Sequence, residues 1–531
     1  MLKEQSYKGV ENKCRHNRPR YRTVTLSGIT RVAFFVLPML VELVLLFALT
    51  VFLRNRFEIV YSILQWASFA AVAYIIIKKN NPYAIKWVII ILALPVYGLF
   101  LYLVFARSDI IDGLKGGRNK RLHVSMEWGG NFLRKNQQVY EDFKRTHPDK
   151  KKIADYLGRK GQPLYGNTRC TYYPLGESQF EAMLADMEKA KHFIFLEYFI
   201  IRRSEIWDRI QEILARKACE NVEVRVMMDD IGSIFFPQKI VKEMKKSGIQ
   251  VLRFNNVHGI FSRYYVNFRN HQKIAVIDGN VGYTGGANIG DEYVNAFPKF
   301  GHWKDTAIRL EGDSVWSLTV SFLQMWDGET KGRSDYDAYR PTASCEGESG
   351  FYQPFMDGPV VGGDYIAKNI YKLFIYRAKK YIYITTPYLV VDATMLDALR
   401  VAAKGGTDVR IIVPKIWDKW YVHTVTLSNY EALLEAGVRI FEYSPGFIHA
   451  KAIISDDEHA VIGTINMDFR SYYLHYENGV WICGADAIAS IKKDMDETFA
   501  QCKERDLQTW LQRPWHEKCV QKVMRLFEVV L

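Results

Sequence analysis

Metal-binding patterns are missing from this 531-residue sequence. Its 7 cysteines stand apart, at Cys14, Cys170, Cys219, Cys345, Cys483, Cys502 and Cys519. There is no Cys-x-x-Cys pair and no His/Cys cluster with metal-ligand spacing, so a zinc module finds no support. The odd, scattered set reads as mostly free thiols in a reducing compartment. The chain also lacks the interleaved aromatic and basic residues of a nucleic-acid groove, although its formal net charge is +13. Part of that charge lies before Val32, in Lys3, Lys8, Lys13, Arg15, Arg18, Arg20, Arg22 and Arg31. A basic flank beside an apolar helix is a topology signal.

Long hydrophobic runs are present, all of them early. Val32–Leu53, Ile59–Ile77 and Trp87–Phe105 each have about the length of a membrane-crossing helix. The first is too long, and too soon followed by others, to be a cleaved signal peptide. Glu42 within it is costly in a bilayer unless neutral or paired. The orientation stays open. Three crossings put the remainder opposite the basic N-terminus, and two crossings put them on the same side.

The most informative pattern occurs twice. His271-x-Lys273-x4-Asp278 recurs as His449-x-Lys451-x4-Asp456, about 180 residues later. The copies continue into Gly285-Gly286-x-Asn288 and Gly463-Thr464-x-Asn466. One His-x-Lys-x4-Asp match arises at roughly one position in ten thousand at average residue frequencies, so two with matching continuations exclude coincidence. Each motif opens an apolar, β-branched run that predicts a strand. Residues two apart on a strand share a face, so His and Lys should project together. The Asp residues open turns. The glycines are expected to let backbone approach an anion, and each Asn can donate an amide hydrogen to a phosphate oxygen. Two imidazoles, two ammonium groups and two amides suit attack on a phosphodiester.

Duplication extends beyond the motifs. Ala190–Leu196 parallels Ala378–Ile384, Val222–Met228 parallels Val409–Val413, and Gly248–Leu252 parallels Gly437–Phe441. Helical patterns follow the first pair, on Ile206, Trp207, Ile210, Ile213 and Leu214 and on Met395, Leu396, Leu399 and Val401. Alternating strands and helices predict an α/β fold. Duplication predicts two similar domains with the active site between them. The expected organisation is a basic segment 1–31, a membrane region 32–106, a basic linker and helix 107–158, domains 159–331 and 351–531, and a linker 332–350. The first half carries an aromatic insertion between Asn255 and Asn270, either a lip for acyl chains or a packed surface loop.

These residues resemble the HKD motifs of the phospholipase D superfamily, and with the apolar N-terminus the whole chain resembles bacterial cardiolipin synthases of that type. The resemblance implies two phospholipase D-like domains. It also implies the conversion of two phosphatidylglycerol molecules into cardiolipin and glycerol through a covalent phosphatidyl-histidine. It points to His271 as nucleophile and His449 as acid/base, roles that the near-symmetric halves do not separate by themselves. His271, Lys273, Asp278, His449, Lys451 and Asp456 are the expected catalytic set, with Asn288 and Asn466 on the phosphate. Acidic residues at comparable positions in the family suggest that Asp305 orients His271 and Glu477 orients His449. No metal or cofactor is implied, because the lysines supply positive charge. The expected partners are phosphatidylglycerol and the bilayer, in a multi-pass cell-membrane protein whose domains face the cytoplasm. A phospholipase D or phosphatidylserine synthase shares these motifs and differs in acceptor, and a membrane-tethered nuclease is the more distant alternative.

Overall fold

The computed structural model describes residues 26–78, 82–105, 117–256, 267–343, 345–359, 361, 364–525 and 528. Beyond the N-terminal helices it is α/β, with two mixed sheets that repeat one strand order. The first sheet runs Thr168–Tyr173, Ala307–Gly312, Val281–Gly285, Lys273–Ile277, Phe193–Tyr198, Glu223–Asp229, Gln250–Phe254. The second runs Phe351–Asp357, His475–Cys483, His459–Gly463, Ala452–Ser455, Tyr381–Thr385, Asp408–Pro414, Arg439–Tyr443, Cys502–Glu504. In each, the three duplicated strands outside the motifs pair parallel, and the motif strand joins them antiparallel. Phe193–Tyr198 and Tyr381–Thr385 are buried along their whole length, which is why they read as continuous apolar runs rather than alternating ones.

Helices cover the sheets where the periodicity placed them. Glu205–Cys219 buries Ile206, Trp207, Ile210, Ile213 and Leu214, and Ala393–Lys404 buries Met395, Leu396 and Leu399. Ser204 and Asp392 cap their N-termini through side-chain acceptors. Val401, counted with the second helical face, is 54% exposed instead.

Short parallel strands join the halves. Gly446–Ile448 pairs with His302–Lys304, and Arg269–Asn270 pairs with His475–Tyr476. Each histidine motif is thereby stitched to the other half of the chain.

The segments expected to link are packed. Helix Arg118–Gly130 lies along helix Val315–Thr330, with Ser125 Oγ donating to the Gln324 carbonyl at 2.7 Å and Arg118 ion-paired to Glu329. Within 332–350, Tyr336 is buried and stacks on Phe132 at 4.7 Å. The aromatic insertion falls largely on 257–266, outside the described residues.

Among the described residues, four helices precede this body: Leu26–Arg56, Glu58–Lys78, Pro82–Ala93 and Pro95–Phe105. Among the described residues, Glu58–Ile77 alone is long and apolar enough to cross a membrane. The expected span 32–53 falls within Leu26–Arg56, where the side chains of 26–39 and of Glu42 lie outside the described residues. The expected span 87–105 is corrected: it is two helices of 12 and 11 residues, each too short to cross. Pro95 has no N–H to continue the ladder, and the chain folds back on itself. A Cβ at Gly98 would stand 2.7 Å from the Ile90 carbonyl oxygen, and the Trp87 and Tyr102 rings meet at 5.7 Å. Ser68 of the preceding helix holds the bend through the Pro95 carbonyl at 2.7 Å.

Candidate active site

Both histidines sit between strands rather than on them. His271 falls between Arg269–Asn270 and Lys273–Ile277, and His449 between Gly446–Ile448 and Ala452–Ser455. The cross-half pairing fixes their backbones, with His271 N donating to the Tyr476 carbonyl at 2.9 Å and His449 N to the Lys304 carbonyl at 2.7 Å. The next residue on each partner is a carboxylate, Glu477 or Asp305.

The expected pairing of acid with histidine is therefore reversed. His271 Nδ1 lies 2.9 Å from both Glu477 carboxylate oxygens, and His449 Nδ1 lies 2.7 Å from Asp305 Oδ2. Asp305 does not orient His271, and Glu477 does not orient His449. Each imidazole is held by the opposite half. A carboxylate only accepts, so each Nδ1 carries the proton and each Nε2 presents a lone pair.

The two acids are not equivalent. Glu477 also accepts from the Thr464 and Ser471 hydroxyls, so its charge is shared among three donors. Asp305 accepts from His449 and, at 3.5 Å, the Trp303 indole N–H on Oδ2, and from the Thr306 backbone N–H at 3.0 Å on Oδ1, with no hydroxyl donor among the described residues. Burial, then the Lys273 and Lys451 charges, push the His271 pKa well below its ordinary value. Burial and Lys451 push His449 down to about 4, with Asp305 pulling it back up. Burial and the lysines thus favour the neutral form of both rings, and Asp305 offsets part of that shift at His449.

The lysines are buried beside them. Lys273 Nζ donates to the His271 carbonyl at 2.6 Å, and Lys451 Nζ to the His449 carbonyl. Burial lowers their pKa values to about 7 and about 8. An arriving anion strengthens the charged form of all four groups.

Asp278 and Asp456, expected in the catalytic set, lie at the far ends of their motif strands. Each has left-handed backbone, with φ of 52° and 57°. Each carboxylate accepts three backbone N–H groups where the neighbouring strand begins: Lys191, His192 and Phe193, or Lys379, Lys380 and Tyr381. They anchor strands and touch no reacting group. Asp278→Ala should lower Tm by roughly 5–10 °C, as loss of a few kcal/mol would, while kcat of the folded fraction changes less than threefold. Thermal unfolding beside turnover checks this.

Asn288 accepts from Ile200 N at 3.0 Å and donates its amide to the Tyr293 hydroxyl at 3.1 Å, and the Tyr293 ring lies 6.0 Å from His449. Asn466 is buried, with its backbone N bonded to Ser471 Oγ at 3.2 Å.

The glycines have another reason than anion approach. A Cβ at Gly285 would meet the Thr306 carbonyl, one at Gly463 the Asn478 carbonyl, and one at Gly286 would overlap the Asp305 carboxylate. They admit the carboxylate-bearing segment. Gly286→Ala should displace Asp305 and cost about 10²-fold in kcat, the usual penalty for a misplaced catalytic group, without comparable loss of folding. Steady-state rates and circular dichroism separate the two.

Motif reading alone misses Thr464, Ser471, His475 and Phe199. Phe199 packs edge-on to His271 at 5.0 Å, with Lys273 Nζ 5.7 Å from its ring centre. His475 lies 5.3 Å from the His271 ring and accepts from Arg470 Nε at 3.2 Å. Burial pushes its pKa down to about 3. Among the described residues, His271, His475 and Glu477 are the group that could hold a metal ion, their ligand atoms lying within 4.8 Å of one another. An ion there would break the His271–Glu477 hydrogen bond. The Thr464 hydroxyl stands where the first motif has Gly286, which is the one sequence signal for the asymmetry.

A family model described as "Cardiolipin synthase, PLD-like domain" matches residues 183–297 and 371–501. A cardiolipin synthase of Geobacillus thermodenitrificans is 34% identical, over 89% of this chain and 94% of its own. An uncharacterized protein of Streptococcus mutans serotype c is 38% identical, over 84% of this chain and 96% of its own. The crystal structure of a phosphatidylserine synthase from Haemophilus influenzae covers 72% of this chain and all of its own, with a TM-score of 0.56 at 15% identity, a likeness of fold.

Proposed function

The chain belongs to the cardiolipin synthases of the phospholipase D superfamily, and from that premise we propose how its site transfers a phosphatidyl group between two phosphatidylglycerol molecules. The observation that carries the reading is the crossed pair of histidines, each with Nδ1 tied to a carboxylate and Nε2 free, beside two buried lysines.

In the first half-reaction His271 Nε2 attacks phosphorus and the P–O bond to the terminal glycerol breaks. His449, protonated at Nε2, gives that proton to the departing glycerol oxygen. In the second, neutral His449 takes the proton from a hydroxyl of another phosphatidylglycerol. That oxygen attacks phosphorus, the P–N bond to His271 breaks, and cardiolipin leaves. Lys273 and Lys451 hold the non-bridging oxygens and stabilise the charge that develops on them. Asn288 and Asn466 are assigned to the same oxygens through their amides. Asp305 and Glu477 are positioning residues.

Cardiolipin formation should follow a bell-shaped pH profile. On the acid side protonation removes the His271 lone pair. On the alkaline side Lys273 and Lys451, held at about 7 and about 8, lose the charge that binds phosphate. Bound phosphodiester raises the pKa of each group, so the optimum of kcat should lie above that of kcat/KM. A flat profile from pH 5 to 9 contradicts the scheme.

The two halves are assigned to 159–331 and 351–531, joined through 332–350. For the membrane part we favour two crossings, by Leu26–Arg56 and Glu58–Ile77, with the hairpin 82–105 entering one leaflet. The basic segment 1–31 and both catalytic halves then share the cytoplasmic side. The charge of that segment and the break at Pro95 support this. Incubating purified protein with phosphatidylglycerol alone tests the reaction. Cardiolipin plus glycerol is expected, and phosphatidic acid without cardiolipin would make water the acceptor.

A further inference from the structure

The corresponding turns of the two halves differ in one respect that the reaction does not use. In the first half, the turn after strand Glu223–Asp229 folds inward: Phe236 is buried and packs on Trp207 at 5.1 Å. In the second half, the turn after strand Asp408–Pro414 reads Lys415-Ile-Trp-Asp-Lys-Trp420 and points outward. Trp417 is 51% and Trp420 55% exposed, with Ile416 exposed beside them. Trp420 meets the neighbouring Tyr421 ring edge-on at 6.0 Å, and both indoles stay about half exposed.

This turn borders the active site. Tyr388 holds it through Asp418 at 2.6 Å. Lys419 is among the charges acting on His271, and Asp418 on Lys451. Lys299, on the facing loop of the first half, feels both Asp418 and Lys419, and that loop exposes Phe297. Loops of both halves that expose apolar side chains thus lie close enough for their charged residues to interact.

The turn is also joined through packed helices to the segment that meets the apolar N-terminus. Helix Trp420–Ser428 begins at it, and helix Trp515–Arg525 packs along that helix. Just beyond, Glu528 is ion-paired at 2.9 Å with Lys86 of the short hairpin. Trp515 is 76% exposed, with Val520 and Val523 exposed on its helix.

We propose that Trp417 and Trp420, with Ile416 between Lys415 and Lys419, seat in the interfacial layer of an anionic bilayer and hold the active-site mouth against the leaflet that supplies its lipid. Tryptophan and basic residues at an interface follow the usual chemistry of such anchoring. Charge complementarity and continuity with the hairpin select a lipid surface over a protein partner. The identity of the lipid rests on the reaction proposed above.

The test uses the full chain in nanodiscs of phosphatidylglycerol, with and without brominated acyl chains, comparing the parent with Trp417→Phe/Trp420→Phe. Both proteins share the quenching of Trp66 and Trp87 in the membrane helices, and the fluorescence lost in that variant should be a further fraction that bromine quenches. Trp417→Ser/Trp420→Ser should lose at least tenfold in cardiolipin formation from bilayer phosphatidylglycerol and less than twofold from monomeric dihexanoyl phosphatidylglycerol. Absence of that further quenched fraction, or equal losses on both substrates, would overturn the proposal. The quenching is repeated in inactive His271→Ala protein. Quenching there without cardiolipin from the parent sinks the reaction and leaves the docking surface standing. Cardiolipin from the parent without quenching does the reverse.

Discussion

His271→Ala and His449→Ala are each expected to lower cardiolipin formation by at least about 10⁴-fold, because both rings serve in both half-reactions and neither loss is compensated. The two variants should differ in what they accumulate. Without His271 no P–N bond forms, and no phosphatidyl-enzyme is recovered. Without His449 the nucleophile is intact, held by Glu477 at 2.9 Å, and a substrate with a leaving group that needs no proton should still phosphatidylate it. A p-nitrophenyl phosphodiester provides that leaving group. His449→Ala should release one equivalent of p-nitrophenol and stop, and His271→Ala should release none. The double variant should be no worse than the worse single one, since groups that act as a unit are not additive. Burst amplitude beside steady-state rate is the measurement.

Glu477→Gln is expected to cost roughly 10²- to 10⁴-fold in kcat, the range seen when the carboxylate behind a catalytic imidazole is neutralised. The amide can leave His271 in the wrong tautomer, with its proton on Nε2 and no lone pair toward phosphorus. The loss should fall on the first half-reaction, as a slower burst. Asp305→Asn should act on His449 instead. It should leave the burst with the p-nitrophenyl substrate intact and slow turnover with phosphatidylglycerol, where the leaving glycerol needs its proton. Had each acid served the histidine of its own half, these phenotypes would be exchanged. The geometry behind the assignment is direct: His271 N bonds to Tyr476 O and His449 N to Lys304 O, so each imidazole arrives beside the acid of the other half.

That crossing marks where the sequence stops being legible. The repeat announces itself through rare residues at fixed spacing, and the apolar runs announce the central strands because burial on both faces demands it. Asp305 and Glu477 stand out as acids downstream of the motifs. What decides their partners is pairing by strands of two and three residues, Arg269–Asn270 and Gly446–Ile448. Elements that short carry no periodicity, and nothing local says which half they join. Asp278 and Asp456 share the motif with the histidines yet work at the opposite strand end, because the motif records a strand as well as a site. Gly286 reads as an anion-binding glycine until the Asp305 carboxylate is found in the space its side chain would need. The span expected at 87–105 fails at Pro95, where apolar composition continues but backbone hydrogen bonding does not.

The reaction as proposed rests on the phosphatidylation of one imidazole, His271, in a site built by both halves. It is tested most directly by quenching the enzyme during turnover of phosphatidylglycerol under alkaline conditions, which preserve phosphohistidine, and sequencing the digested peptides by mass spectrometry. The account predicts the phosphatidyl mass on the peptide carrying His271 and on no other, absent from His271→Ala protein. The adduct on His449, or turnover to cardiolipin by His271→Ala protein, would contradict it.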